Sequence, residues 1–197
     1  RQMCIRDRDE AISKGRKVAF EYLAYGTDKQ LHPRVRSDGS TEYVVSPYQM
    51  AAREGKYYLI CNFDKYDDIS NYRMDRIRGI RILDQRAKPF ESLQGADGRR
   101  LDLADYMKKH AYMFSSGNCR AVFRVSRSMI GDVIDLFGKD VVFSDETEEA
   151  VTASVYTNEM SAAHFARSLA PDATVLQPER LRETVKGQLR QALEKYE

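Results

Sequence analysis

Glu42-Tyr-Val-Val-Ser-Pro-Tyr-Gln-Met-Ala-Ala-Arg53, Glu54-Gly55 and Lys56-Tyr-Tyr-Leu-Ile-Cys-Asn-Phe63 form the stretch from which the fold reads outward. Two runs rich in tyrosine and aliphatic residues flank a Glu-Gly pair, which predicts two strands joined by a tight hairpin. Upstream, Lys17–Tyr25 alternates, with Val18, Phe20 and Tyr22 on one side and Lys17, Ala19 and Glu21 on the other. That period of two predicts a half-buried strand. Gly26-Thr27-Asp28 and Ser37-Asp38-Gly39-Ser40 carry turn chemistry, and Ile69–Met74 and Ile77–Leu83 read as two further strands. Ala11 and Ile12 are the apolar contacts of a short helix over residues 9–15 that stops at Gly15. About five short strands with tight turns predict a small β-barrel, because closure removes exposed sheet edges.

Residues 85–118 break the pattern. Pro89, Gly95 and Asp97-Gly98 mark a linker, with a short helix expected over Leu101–His110. The remainder reads β-α-β-β-α-β-α. Strands are expected at Arg120–Val125, Val141–Phe143, Ala150–Tyr156 and Ala173–Leu176. Between them fall a helix capped by Ser126 and stopped by Gly138, and a helix over Met160–Leu169. A final helix begins at Pro178, with Leu181, Val185, Leu189 and Leu193 at four-residue spacing. Packing against the core and contact with a second copy are both open for that stripe. The fold class is therefore α+β: a small Sm/SH3-like β-barrel followed by a ferredoxin-like α+β domain.

Composition limits the function classes. The 32 basic and 30 acidic residues give a net charge of +2. Residues 1–8 read as the translated end of a sequencing adapter and are set aside, so the native N-terminus is expected to be missing. Taking Arg1, Arg6 and Arg8 from 32 and Asp7 from 30 leaves 29 of each sign. Overall charge thus offers no argument for nucleic-acid binding, and any such argument rests on local clusters. No apolar run is long enough to span a membrane. Cys61 and Cys119 sit singly in apolar runs, which suits buried thiols in a reducing cytoplasm. His32, His110 and His164 lack metal-ligand spacing, and no nucleophile elbow, phosphate loop or dinucleotide fingerprint is present. The expectation is a protein with no catalytic role and no cofactor.

Ser46-Pro47-Tyr48, Gly55-Lys56-Tyr57-Tyr58-Leu59-Ile60 and Tyr72-Arg73-Met74-Asp75-Arg76-Ile77 together resemble the WYL domain. Ala11-Ile12 and Val18-Ala19-Phe20-Glu21-Tyr22 match its usual opening, and Pro178-Glu179-Arg180-Leu181-Arg182 with Tyr196 resembles the WCX extension. The organisation expected is WYL domain over 9–84, linker over 85–118 and WCX-like extension over 119–197. In one departure, Tyr57 stands where the family has tryptophan, and the chain has none. The resemblance implies an Sm-like barrel that senses a nucleotide or single-stranded nucleic acid, within a dimeric bacterial transcriptional regulator. It also implies operator binding through a winged helix-turn-helix located before residue 9.

Arg73 and Arg76 are the leading site residues. Arginine presents a planar fork suited to phosphate, and tyrosine a face on which a base stacks. Tyr72, Tyr58, Tyr48, Ser46 and Arg53 complete the expected ligand site. The alternative is a solvated, salt-bridged strand with Asp75 as the partner. In that case the barrel is a structural dimerisation or protein-interaction module without ligand. Arg78, Arg81, Arg86 and Lys88 extend the basic run and read as a solvated face.

Overall fold

A computed structural model describes residues 10–93, 96, 98, 100–114 and 117–196. The adapter-like segment 1–8 lies outside them, as do Gly95 and Asp97 of the expected linker. The chain divides into two compact units, Arg1–Leu103 and Ala104–Glu197, so the linker expected over 85–118 is shared between them.

The first unit is an antiparallel sheet. Its strands are β1 (Arg16–Tyr25), β2 (Leu31–Pro33), β3 (Glu42–Arg53), β4 (Lys56–Phe63), β5 (Ser70–Arg73) and β6 (Ile77–Arg86). The order runs β2-β1-β3-β4-β5, and β6 pairs with β1. The hairpin forms as read: Arg53 pairs with Lys56, and Glu54 and Gly55 both take positive φ, at 49° and 70°. That is the primed turn whose twist matches the strands. Val18, Phe20, Tyr43, Val45, Leu59 and Cys61 form the core, against which Tyr22, Met50 and Tyr72 pack.

Three features differ from expectation. β2 carries no alternation of its own and is held by three pairs to β1. β5 and β6 are joined by the 3-10 turn Met74–Arg76, and among the described residues no ladder links them, so a closed barrel is not seen. Ala19, expected on the solvent side of β1, is fully buried, at a point where β1 pairs with both β3 and β6.

The second unit holds α1 (Leu103–Lys109), β7 (Asn118–Ser126), α2 (Ile130–Phe137), β8 (Val142–Ser144), β9 (Ala150–Asn158), α3 (Glu159–Ser168), β10 (Ala173–Gln177) and α4 (Glu179–Leu193). Its sheet is antiparallel throughout, in the order β10-β7-β9-β8. Numbered within the unit that is 4-1-3-2, the arrangement a β-α-β-β-α-β chain adopts in a ferredoxin-like sheet. Phe123, Phe137 and Phe165 meet at ring separations of 5.1 to 6.1 Å in its core. Gly138 ends α2 as expected, at φ 86° with its N–H donating to the Ile134 carbonyl.

Ser126 is not the cap it was expected to be. A 3-10 turn, Arg127–Met129, intervenes before α2, and the Ser126 hydroxyl donates to Asp172 at 2.8 Å. The side-chain cap found in this unit is Asn158, which accepts from the Ser161 N–H at the start of α3. Of the apolar stripe on α4, Leu181 and Val185 are buried in the core, whereas Leu189 and Leu193 are not.

Candidate functional site

Strand alternation sorts the expected site residues by face. Leu59 of β4 pairs with Met50 of β3 and Tyr72 of β5, and all three belong to the core face. The adjacent row, Ala51, Tyr58 and Arg73, therefore points the other way. Arg53, two residues beyond Ala51, shares that outer face with its cross-strand partner Lys56. Thus Tyr58, Arg73 and Arg53 gather at one end of the outer face, where directly opposed side chains interact.

Tyr72 is removed from the site. It packs edge-on against Phe20, Tyr22 and Tyr43 at ring separations of 4.9 to 5.5 Å. Burial pushes its hydroxyl well above the usual tyrosine range. A largely buried ring packed against three others, on the face opposite Arg73, is poorly placed to stack on a ligand held by Arg73.

Ser46 and Tyr48 serve a different purpose. A bulge between Pro47 and Gln49 makes Tyr48 an extra residue in β3. The fully buried Ser46 hydroxyl accepts from the Lys88 N–H at 2.8 Å, and the Tyr48 hydroxyl donates to the Lys88 carbonyl at 2.9 Å. The Tyr48 ring stands edge-on to Phe90 at 5.5 Å. Both side chains hold the segment that follows β6. Burial raises the Tyr48 hydroxyl above its ordinary range, which keeps it a donor.

Arg73 ends β5 and Arg76 closes the 3-10 turn that follows, so the two arginines do not lie on one strand. Arg73 is locked to Asp75 by Nε–Oδ1 and Nη2–Oδ2 contacts of 3.1 and 2.6 Å. Its backbone N–H donates to the Tyr22 hydroxyl at 3.2 Å. The hydrogen bond from Arg73 holds the Asp75 carboxyl below the usual carboxylate range, and the Arg76 charge lowers it further.

Arg76 differs from its neighbours. It is half-buried, its guanidinium carbon lies 5.7 Å from the centre of the exposed Tyr25 ring, and its Nε is buried with no hydrogen-bond partner. Among the described residues it forms no ion pair. Most of the rest of the basic run is paired, Arg78 with Glu21, Arg81 with Glu42 and Lys88 with Asp67, at 2.5 to 2.9 Å, while the exposed Arg86 forms no ion pair among the described residues.

Tyr22 and Tyr25 were not foreseen as site residues. The β1–β6 ladder, which pairs Tyr22 with Ile77, brings the far end of β1 to the turn, and no local signal in β1 announces that. Among the described residues no group of three or more His, Cys, Asp or Glu is placed to hold a metal ion, and no helix is long and apolar enough to cross a membrane.

Together these features define a two-unit α+β protein with a guanidinium-rich, tyrosine-bearing sheet face. The chain belongs to the WYL family: residues 5–82 match the WYL domain and residues 117–193 the WCX domain. Among solved structures it is similar to a CRISPR Cas-related protein, at 13% identity and TM-score 0.55, covering 99% of this chain and 52% of that one. It also matches the proteasome accessory factor B/C (PafBC) of Arthrobacter aurescens, at 16% identity and TM-score 0.40, covering 100% of this chain and 27% of that one. The chain therefore spans about half or less of these similar structures. Comparison with curated proteins gives no match.

Proposed function

We propose that the chain is the effector-sensing and dimerisation portion of a bacterial transcriptional regulator, acting in the cytoplasm and without catalysis. The effector is a nucleotide or a single-stranded nucleic acid. It docks at the β4–β5 end of the first unit, with phosphate on Arg76 and Arg73 and a base against Tyr25 or Tyr58. One observation carries this reading: Arg76 is a half-buried guanidinium that forms no ion pair among the described residues and whose buried Nε has no hydrogen-bond partner. Burying a charge without a partner is costly, so an anionic ligand is the compensation such a group lacks. Arg53 and Lys56 share the Tyr58–Arg73 face and extend the positive field toward the hairpin. Occupation of this site changes the arrangement of a homodimer and thereby operator affinity in a DNA-binding element of the whole protein. The change is no larger than the effector's differential affinity for the two states.

Titration of the chain with ATP and with a fluorescein-labelled ten-nucleotide single strand, read by anisotropy, tests the proposal. Charge-assisted hydrogen bonds contribute about 1.5–3 kcal/mol, so Arg76→Ala should weaken binding by about tenfold to a hundredfold. Unchanged affinity in both Arg76→Ala and Arg73→Ala removes the site. The Arg73–Asp75 lock favours a second reading, a structural dimerisation module without ligand. Sedimentation in which the same variants lose the dimer while binding is intact selects that reading.

A further inference from the structure

In the second unit a groove of about 480 Å³ runs between the edge strand β10 and α4, from Arg182 to Leu193. Pro171, Val175, Leu189 and Leu193 form its floor and walls. Leu189 and Leu193 continue the stripe that Leu181 and Val185 bury, yet they are 38% and 60% exposed. Neither the core nor the sheet uses them.

The rim has one sign. Arg182, Lys186 and Arg190 line the groove at four-residue spacing, which stacks them in one row along the helix. Among the described residues no carboxylate lines it. Arg182 and Lys186 are tied to Glu179 and Glu183 only through exposed contacts of 3.3 and 3.2 Å, the kind of pair that holds weakly. Arg190 has no ion-pair partner among the described residues. The volume lies within the range of small-ligand pockets, which are mostly apolar with a few polar groups at one side.

We propose that this groove binds an amphiphilic anion, a single alkyl chain with a carboxylate or phosphate head. The chain lies over Val175, Leu189 and Leu193, and the head meets the Lys186–Arg190 row. The site is independent of the anion site in the first unit.

Calorimetric titration of the whole chain with octanoate, decanoate, dodecanoate and dodecyl phosphate, each below its micelle concentration, tests this, with dodecanol as the uncharged control. Affinity should rise about threefold to fourfold per methylene, the ratio that burial of one such group implies. The ratio of dodecanoate to dodecyl phosphate affinity identifies the preferred head. Lys186→Glu with Arg190→Glu should weaken the anions at least tenfold and leave dodecanol unchanged, while Leu193→Gln should weaken all ligands alike. Circular dichroism melts confirm that the variants fold. Absence of chain-length dependence, or charge reversal without effect, overturns the proposal. So does a sedimenting dimer that Leu193→Gln dissociates and dodecanoate does not, which would assign the groove to a second copy of the chain.

Discussion

Replacing Asp75 by asparagine should tighten binding of the anionic effector, and the size of the effect follows from the turn geometry. Asp75 accepts two hydrogen bonds from Arg73, at 3.1 and 2.6 Å. A phosphate on the far side of that guanidinium would lie roughly 6 Å from the carboxylate, where like charges repel by about 0.7 kcal/mol in water and about 2.8 kcal/mol at an effective dielectric of about 20. The Asp75 side chain is 58% exposed, so the aqueous end applies. Asp75→Asn should therefore improve affinity about threefold to fivefold for ATP and for the labelled single strand, measured by anisotropy at about 50 mM salt to limit screening. Because an exposed pair contributes only about 0–1 kcal/mol, the melting temperature should hardly move. Unchanged or weaker binding with an intact fold refutes the reasoning. It would mean either that the ligand sits elsewhere or that Asp75 is needed to aim Arg73.

Acid does not reproduce this variant near neutrality. Arg73 holds the folded Asp75 carboxyl below its ordinary range. The stabilisation from the pair is thus complete above the unfolded aspartate value of about 3.9 and is lost only as pH falls through the lowered folded value.

Two further predictions concern the side chains that the fold assigns elsewhere. Ser46→Ala and Tyr48→Phe should each destabilise the first unit by about 1–2 kcal/mol, since each leaves one polar group of Lys88 unmatched, and chemical denaturation of the double variant should show coupling of about 0.5 kcal/mol or more; strict additivity would show that the two contacts do not act on one segment. Tyr72→Phe should leave effector affinity unchanged because that ring faces the core, whereas Tyr58→Leu, on the Arg73 face, should weaken it by about fivefold or more, the low end of the loss of one stacked base; the opposite ranking in the same titration would return Tyr72 to the site.

Much of the fold was legible because its signals are local. The Glu-Gly pair between two apolar runs specifies a two-residue turn, and Gly138 closes the periodic stretch before it. The β-α-β-β-α-β order of the second unit likewise follows from helix and strand periods alone. Less was legible where a residue's role depends on what lies opposite. Lys56–Phe63 is apolar on both faces, so its sequence does not say which side is the core. Ser46 and Tyr48 look like site residues until Lys88, some forty positions away, takes both hydroxyls. Ser126 has the residue type of a cap, but Asp172 claims its hydroxyl. Tyr72 is different: alternation along Asn71-Tyr72-Arg73 already places the ring and the guanidinium on opposite faces.

Counting charges along the chain also hides what pairing reveals. Residues 73–88 hold six basic side chains against Asp75 and Asp84, yet Arg73, Arg78, Arg81 and Lys88 each meet a carboxylate, three of them contributed by β1, β3 or the loop after β4. Folding therefore dissolves most of the apparent basic patch into surface ion pairs of small individual worth. Among the described residues Arg76 and Arg86 are left without an ion pair; Arg86 is exposed, whereas Arg76 is half-buried with its guanidinium carbon 5.7 Å from the Tyr25 ring centre. A further such arginine, Arg190, stands beside exposed leucines on α4. A chain of near-zero net charge thus presents arginines that lack an ion pair among the described residues beside aromatic surface in the first unit and beside apolar surface in the second. The discriminating quantity is the partner each cation lacks, which is why the variants that matter are Arg76→Ala and the Lys186–Arg190 reversal, and not substitutions across the basic run.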